Sequence, residues 1–180
     1  MIVLIDGRSG SGKTTLAAKL AAATDFHVVH LDDFYPGWRG LRAGSLMVAQ
    51  EVIPHRRFQR WDWGQNQAGP WEELPAGNLI IEGAGAWSAE AEAALRDEVY
   101  LSVVVSAPAK VRKAKALARD PYYAPYWQQW SEQEDAHFAG QPAADLYLGI
   151  AEEPAVAQCP GLETGSAAVN AILKKLHALQ

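Results

Sequence analysis

The stretch GRSGSGKTT at residues 7–15, directly after the apolar run Ile2, Val3, Leu4 and Ile5, constrains this chain more than any other feature. Gly7, Gly12, Lys13 and Thr14 fit G-x-x-x-x-G-K-[ST], the spacing of a loop that wraps phosphate groups. The physical reason is local. Glycines allow tight turns that aim backbone N–H groups inward, the helix that follows offers its positive N-terminal end, and a lysine reaches the outer phosphates. Arg8, Ser9, Gly10, Ser11 and Thr15 complete the loop, and the Thr14 hydroxyl is placed to hold Mg²⁺. The flanks agree with such a loop: a strand-like run precedes it, and KTTLAAKLAAA with Leu16 and Leu20 follows as a helix.

Strand-like apolar runs recur at residues 2–5, 27–31, 79–81, 101–105 and 146–150. Helical stretches are expected at 13–23, more weakly at 46–53, then at 89–97, 109–119, from 125 towards 138, and at 167–179. Continuous apolar strands alternating with helices predict an α/β fold, a three-layer α/β/α sandwich around a mostly five-stranded parallel sheet. In open sheets of this kind ligands bind beyond the carboxyl ends of the strands. The 180 residues suit one domain spanning 1–180. Residues 36–75, rich in Gly, Pro, Trp and Arg, read as an insertion shaping an acceptor pocket, and residues 109–135 as a lid region. A net charge of −5 argues against a nucleic-acid polymer or a membrane surface as partner. The single cysteine, Cys159, fits a reducing compartment, and with no basic leader or long apolar segment in the sequence the expected location is cytoplasmic.

Chemistry-bearing residues fall just after the strand runs. HLDDFY places Asp32 and Asp33 at one strand end, and LIIEG places Glu82 at another. Phosphoryl transfer needs one carboxylate to orient or deprotonate the attacking hydroxyl and another acid to help hold Mg²⁺. Five of the nine arginines (Arg39, Arg42, Arg56, Arg57 and Arg60) lie between Trp38 and Arg60 against one acid, Glu51. Arg56 and Arg57 are therefore expected to meet a negatively charged acceptor. In RWDWG, Asp62 sits between two tryptophans and could accept hydrogen bonds from sugar hydroxyls. Arg112, Lys115 and Arg119 share a helix face that could close over a nucleotide. The acidic run SEQEDAHF reads as solvent-facing, and the five histidines lack metal-ligand spacing.

In this order the motifs resemble the uridine kinase-like branch of the phosphate-loop (P-loop) small-molecule kinases, within the P-loop NTPase superfamily and related to pantothenate kinase and phosphoribulokinase. IDGRSGSGKTTLA is similar to that family's nucleotide loop, LDDFY to its acceptor motif, WDW to its nucleoside-sugar segment, LIIEG to its acidic strand end and VRKAKALARD to its basic lid helix. The resemblance spans residues 1 to about 120, with AADLYLG similar to the last strand. It implies ATP and Mg²⁺ as cofactors and a small-molecule acceptor. Asp32 is then the base acting on the acceptor hydroxyl, and Lys13, Arg112 and Arg119 are catalytic cations. Thr14, Asp32 and Glu82 lie near Mg²⁺, and Asp33, Tyr35 and Asp62 at the acceptor. Where uridine kinases carry an arginine- and glycine-rich lid, this chain has PYYAPYWQQW. Two alternatives stand beside a nucleoside kinase: a nucleoside monophosphate kinase, and a nucleotide-gated ATP-binding protein that hydrolyses ATP slowly.

Overall fold

The structure, a computed structural model, describes residues 1–149 and 166–179. Five parallel strands form the central sheet: β1 (Ile2–Asp6), β2 (His27–His30), β5 (Leu79–Glu82), β6 (Tyr100–Ser106) and β7 (Leu146–Gly149). They lie in the order β2-β5-β1-β6-β7. β1 is central and apolar on both sides because both faces are covered, as parallel sheets require. Its side chains alternate. Ile2 and Leu4 join one core with Val29, Leu79 and Ile81, while Val3 and Ile5 join the other with Ile80, Leu101, Val103 and Val105.

Helices α1 (Lys13–Ala22) and α7 (Ser166–Ala178) cover the second face through Leu16, Leu20, Val169 and Ile172. The first face is covered by α2 (Leu41–Met47), α4 (Ala89–Ala94), α5 (Ala109–Arg119) and α6 (Trp127–Ala139), through Leu41, Ala91, Ala116 and Trp130 among others. This is the three-layer α/β/α sandwich expected from the sequence. Among the described residues, no helix is long and apolar enough to cross a membrane.

The structure departs from the sequence expectations at the second strand and in the insertion. The second strand ends at His30 rather than at residue 31, because Leu31–Asp33 close into a tight 3₁₀ turn. The last expected strand runs to Gly149, and Ile150 and Cys159 lie outside the described residues. The insertion is also more ordered than its composition suggested. Helix begins at Leu41, passes through a wide turn at Val48–Val52 and ends in the short α3 (Ile53–His55). An antiparallel hairpin follows, β3 (Arg57–Asp62) with β4 (Gln67–Glu73). Gly69 and Pro70 hid it. Both strands of a two-stranded hairpin are edges, where proline is tolerated. Gly69 lies opposite a register shift between Gln59 and Trp61, where an added Cβ would stand 3.1 Å from the Arg60 carbonyl oxygen.

Leu4 is fully buried in the central strand. Leu4→Ala is expected to lower unfolding free energy by about 2–5 kcal/mol, measured by urea denaturation, since the cavity beneath a parallel sheet cannot collapse.

Candidate active site

The phosphate loop joins β1 to α1 with the backbone that only glycine adopts readily. Gly12 caps α1 at φ 101°, and a Cβ built there meets nothing within 4 Å, so it faces open space. Gly10 sits at φ 78°, pressed so close to the Arg112 carbonyl that a side chain has no room. Within the loop, Gly10, Gly12, Lys13, Thr14 and Thr15 line a cavity of about 150 Å³, with Asp32, Glu82, Lys115 and Arg119 completing its walls. Gly7 is packed against the Val105 carbonyl, and the Ser11 hydroxyl is buried without a partner. Arg8 turns away to pair with Asp135 at 2.5 Å.

A second cavity of about 390 Å³ adjoins the first and is walled by Tyr35, Trp38, Trp63, Tyr123 and Trp130, with Asp120 among its polar groups. The two cavities share Ser9, Asp32, Tyr35, Arg119 and Trp130. Asp32 therefore stands at their junction. Its carboxylate is open to the solvent in the cleft but walled by protein elsewhere. Loss of surrounding water outweighs the attraction of Lys13 and raises its pKa above the ordinary aspartate value.

Glu82 is almost fully buried, and its Oε1 lies 2.6 Å from His30 Nδ1. Burial pushes the Glu82 carboxyl up, but the hydrogen bond from His30 and the charge of Lys13 together hold it below its ordinary value. His30 is raised in return, chiefly by that same hydrogen bond. β2 and β5 run side by side with His30 opposite Glu82, so the pairing is a product of strand register.

Other expected residues are placed differently. Asp33 turns out of the cleft to accept from Arg60 Nη1 at 3.0 Å. The Tyr35 ring walls both cavities, but its hydroxyl donates to the Ala84 carbonyl at 2.7 Å. Asp62 lines neither cavity; its Oδ1 accepts from Gln65 N and closes the hairpin turn. Trp63 is what this segment contributes, its indole donating to the Asp32 carbonyl at 2.9 Å.

The expectation that Arg56 and Arg57 face an anionic acceptor is not met at this site, since neither lines either of these two cavities. Arg56 donates to the Gly77 carbonyl, and Arg57 pairs with Glu51 while lying over Trp71. Acids distant in sequence neutralise two more arginines of the patch, Glu90 pairing with Arg42 and Glu72 with Arg60. Arg112 does not join Lys115 and Arg119 at the cavity. It is buried against the loop and donates to the carbonyls of Ala107 and Ser9.

The acidic run on α6 is not solvent-facing throughout, because Glu134 is fully buried and accepts from Ser9 N at 2.6 Å. Asp6, absent from the sequence reading, is a further buried acid, bonded to the backbone N–H groups of Gly7, Gly85 and Trp87. One local signal could have exposed these acids: Glu134 falls on the α6 face of Trp127 and Trp130, and Asp6 continues the fully buried apolar run of β1 directly before the phosphate loop.

Solved structures of P-loop kinases share this architecture. A shikimate kinase from Acinetobacter baumannii, solved with shikimate, is similar with a TM-score of 0.54 at 15% identity, over 98% of this chain and 93% of that one. A gluconokinase from Sinorhizobium meliloti gives 0.54 at 11% identity, over 98% and 95%. A shikimate kinase from Bacteroides thetaiotaomicron gives 0.52 at 15% identity, over 99% and 97%. No protein-family model matches the chain, and no curated protein matches it. The fold is that of the P-loop kinases.

The His30–Glu82 pair has a definite pH signature. Because the folded pKa of His30 is raised by Glu82, with Asp33 and Asp32 adding to it, its contribution is complete below the unfolded value near 6.5 and is lost as pH rises through the folded value. The stability difference between wild type and His30→Gln, from urea unfolding at a series of pH values, should therefore shrink above neutrality. A difference that stays constant would contradict the pairing.

Proposed function

We propose that this protein is an ATP- and Mg²⁺-dependent kinase that transfers the γ-phosphoryl group to a hydroxyl of an uncharged small molecule with a flat apolar face, a nucleoside or related metabolite. The observation that carries this is Asp32, a carboxylate at the junction of a phosphate-loop cavity and an aromatic-walled one, flanked by Lys13 and Arg119. A protein that only senses nucleotide has no use for a second cavity meeting the first at a carboxylate. The fold shared with proteins named shikimate kinase and gluconokinase supports a small-molecule acceptor.

Each residue then has a task. Backbone N–H groups from Gly12 to Thr15 and the Lys13 ammonium cradle the triphosphate, and Arg119 reaches the group in transfer. Asp32 accepts the proton of the acceptor hydroxyl as its oxygen bonds to phosphorus and the bond to the departing ADP oxygen breaks. Thr14, Asp32 and Glu82 offer a hydroxyl and two carboxylates, hard oxygen donors of the kind Mg²⁺ takes alongside phosphate oxygens. When bound, the ion neutralises charge on the phosphates. Among the described residues there is no group of three or more His, Cys, Asp or Glu that could hold a metal ion.

That none of Arg39, Arg42, Arg56, Arg57 and Arg60 lines either cavity favours an uncharged acceptor over a nucleoside monophosphate. Arg119 is the cation among the residues lining the acceptor cavity, and it also borders the donor cavity.

Mass detection of new organic phosphates, after incubation with Mg-ATP and a panel of nucleosides, nucleoside monophosphates and sugars, tests the reading. Asp32→Asn should cut kcat by a factor on the order of 10² to 10⁴. In the wild type the acid limb of the kcat profile should have its midpoint above the ordinary aspartate value, because Asp32 works only when ionised. Full acceptor-dependent turnover in Asp32→Asn would remove the base assignment.

A further inference from the structure

α6 touches both cavities' machinery. Trp130 walls both cavities, and one turn later Glu134 is fully buried. Glu134 Oε1 accepts from Trp130 Nε1 at 3.1 Å and from Ser9 N at 2.6 Å. The rest of Ser9 is held as well: Arg112 Nη1 donates to its carbonyl at 3.3 Å, and the Tyr123 hydroxyl donates to its Oγ at 3.1 Å. The other Glu134 oxygen accepts no hydrogen bond and lies 3.8 Å from Arg112 Nη1.

A buried, half-satisfied carboxylate beside a site for a triphosphate is unfavourable through desolvation and through like-charge repulsion. Burial against the loop needs a return, and the contacts supply one. A charge-assisted bond fixes the Ser9 amide on Glu134, so the loop residues that line the phosphate-loop cavity beside Ser9, Gly10 and Gly12–Thr15, start from an ordered anchor. The same oxygen reads the position of an acceptor-cavity tryptophan.

We propose that Glu134 is a positioning residue: it sets the phosphate loop through Ser9, and Trp130 acts on the loop through it, so that the acceptor wall and the nucleotide site are coupled. This rests on the kinase reading. Coupling of this kind is reciprocal, and a ligand that settles Trp130 also favours nucleotide binding.

The test is calorimetric titration with the Mg²⁺ complex of a non-hydrolysable ATP analogue, on wild type, Glu134→Gln, Trp130→Phe and the double variant, with thermal melts of each protein free of nucleotide. Glu134→Gln keeps the shape but loses the charge and turns an N–H₂ towards Arg112. Its affinity should fall on the order of tenfold, the worth of one charge-assisted hydrogen bond. Trp130→Phe removes the indole N–H together with part of the ring and should weaken binding about threefold. The double variant should bind no more weakly than Glu134→Gln alone. A merely structural role would lower the melting temperature and leave affinity unchanged, and simple repulsion would make Glu134→Gln bind more tightly. Either result, or additive losses, overturns the proposal. If Glu134→Gln does not fold, Glu134→Asp, which withdraws the carboxylate from Ser9 and Trp130, decides together with Trp130→Phe: weakened binding in both supports the coupling, and unchanged binding in either overturns it. Failure of the wild type to bind the analogue would overturn the kinase reading together with the coupling, whereas tight wild-type binding with unaltered variants would overturn the coupling alone.

Discussion

Asp6 is the interaction on which the rest of the site depends. It ends the central strand fully buried, and its two oxygens bond to the N–H groups of Gly7, Gly85 and Trp87 and to the amide of Gln141, with His137 Nε2 at 2.9 Å. One carboxylate thus ties together the start of the phosphate loop, the loop after β5 and the end of α6. A carboxylate suits the position because it only accepts, and the groups around it are donors. An amide in its place would turn two N–H bonds towards backbone N–H groups and leave the hub partly unpaired.

From that hub the two cavities acquire their shape. The nucleotide side is built from backbone and cations, the acceptor side from rings. Trp38 stacks with Tyr126 at 4.5 Å and with Tyr123 at 5.1 Å, and Trp130 meets it nearly edge-on at 6.2 Å. Such a wall contributes apolar area at low entropic cost, since aromatic side chains have few rotatable bonds. The stretch PYYAPYWQQW supplies Tyr123, Tyr126 and Trp130, and so gives this wall its apolar surface.

The sheet and the loop were legible because their signals are local. Four apolar residues, then a glycine-rich turn, then alanines and leucines dictate strand, loop and helix without outside help, and Asp32 and Glu82 follow from the strand ends. What sequence could not deliver depends on partners far along the chain. Arg42 and Arg60 look like part of a basic patch until Glu90 and Glu72 are brought to them. Asp62 seemed a sugar ligand, yet it closes a hairpin turn that Gly69 and Pro70 had disguised. Glu134 and Asp6 read as ordinary surface or strand-end acids, although the fold buries both against the phosphate loop.

The central claim is that Asp32 hands an uncharged acceptor's hydroxyl to the γ-phosphate of a nucleotide held by the loop. Its most direct measurement supplies γ-labelled Mg-ATP to the protein with a protein-free metabolite extract split on an anion exchanger into neutral and anionic fractions. The account predicts label in a new organic phosphate formed from the neutral fraction. Label appearing only as inorganic phosphate, or only on acceptors from the anionic fraction, would contradict it.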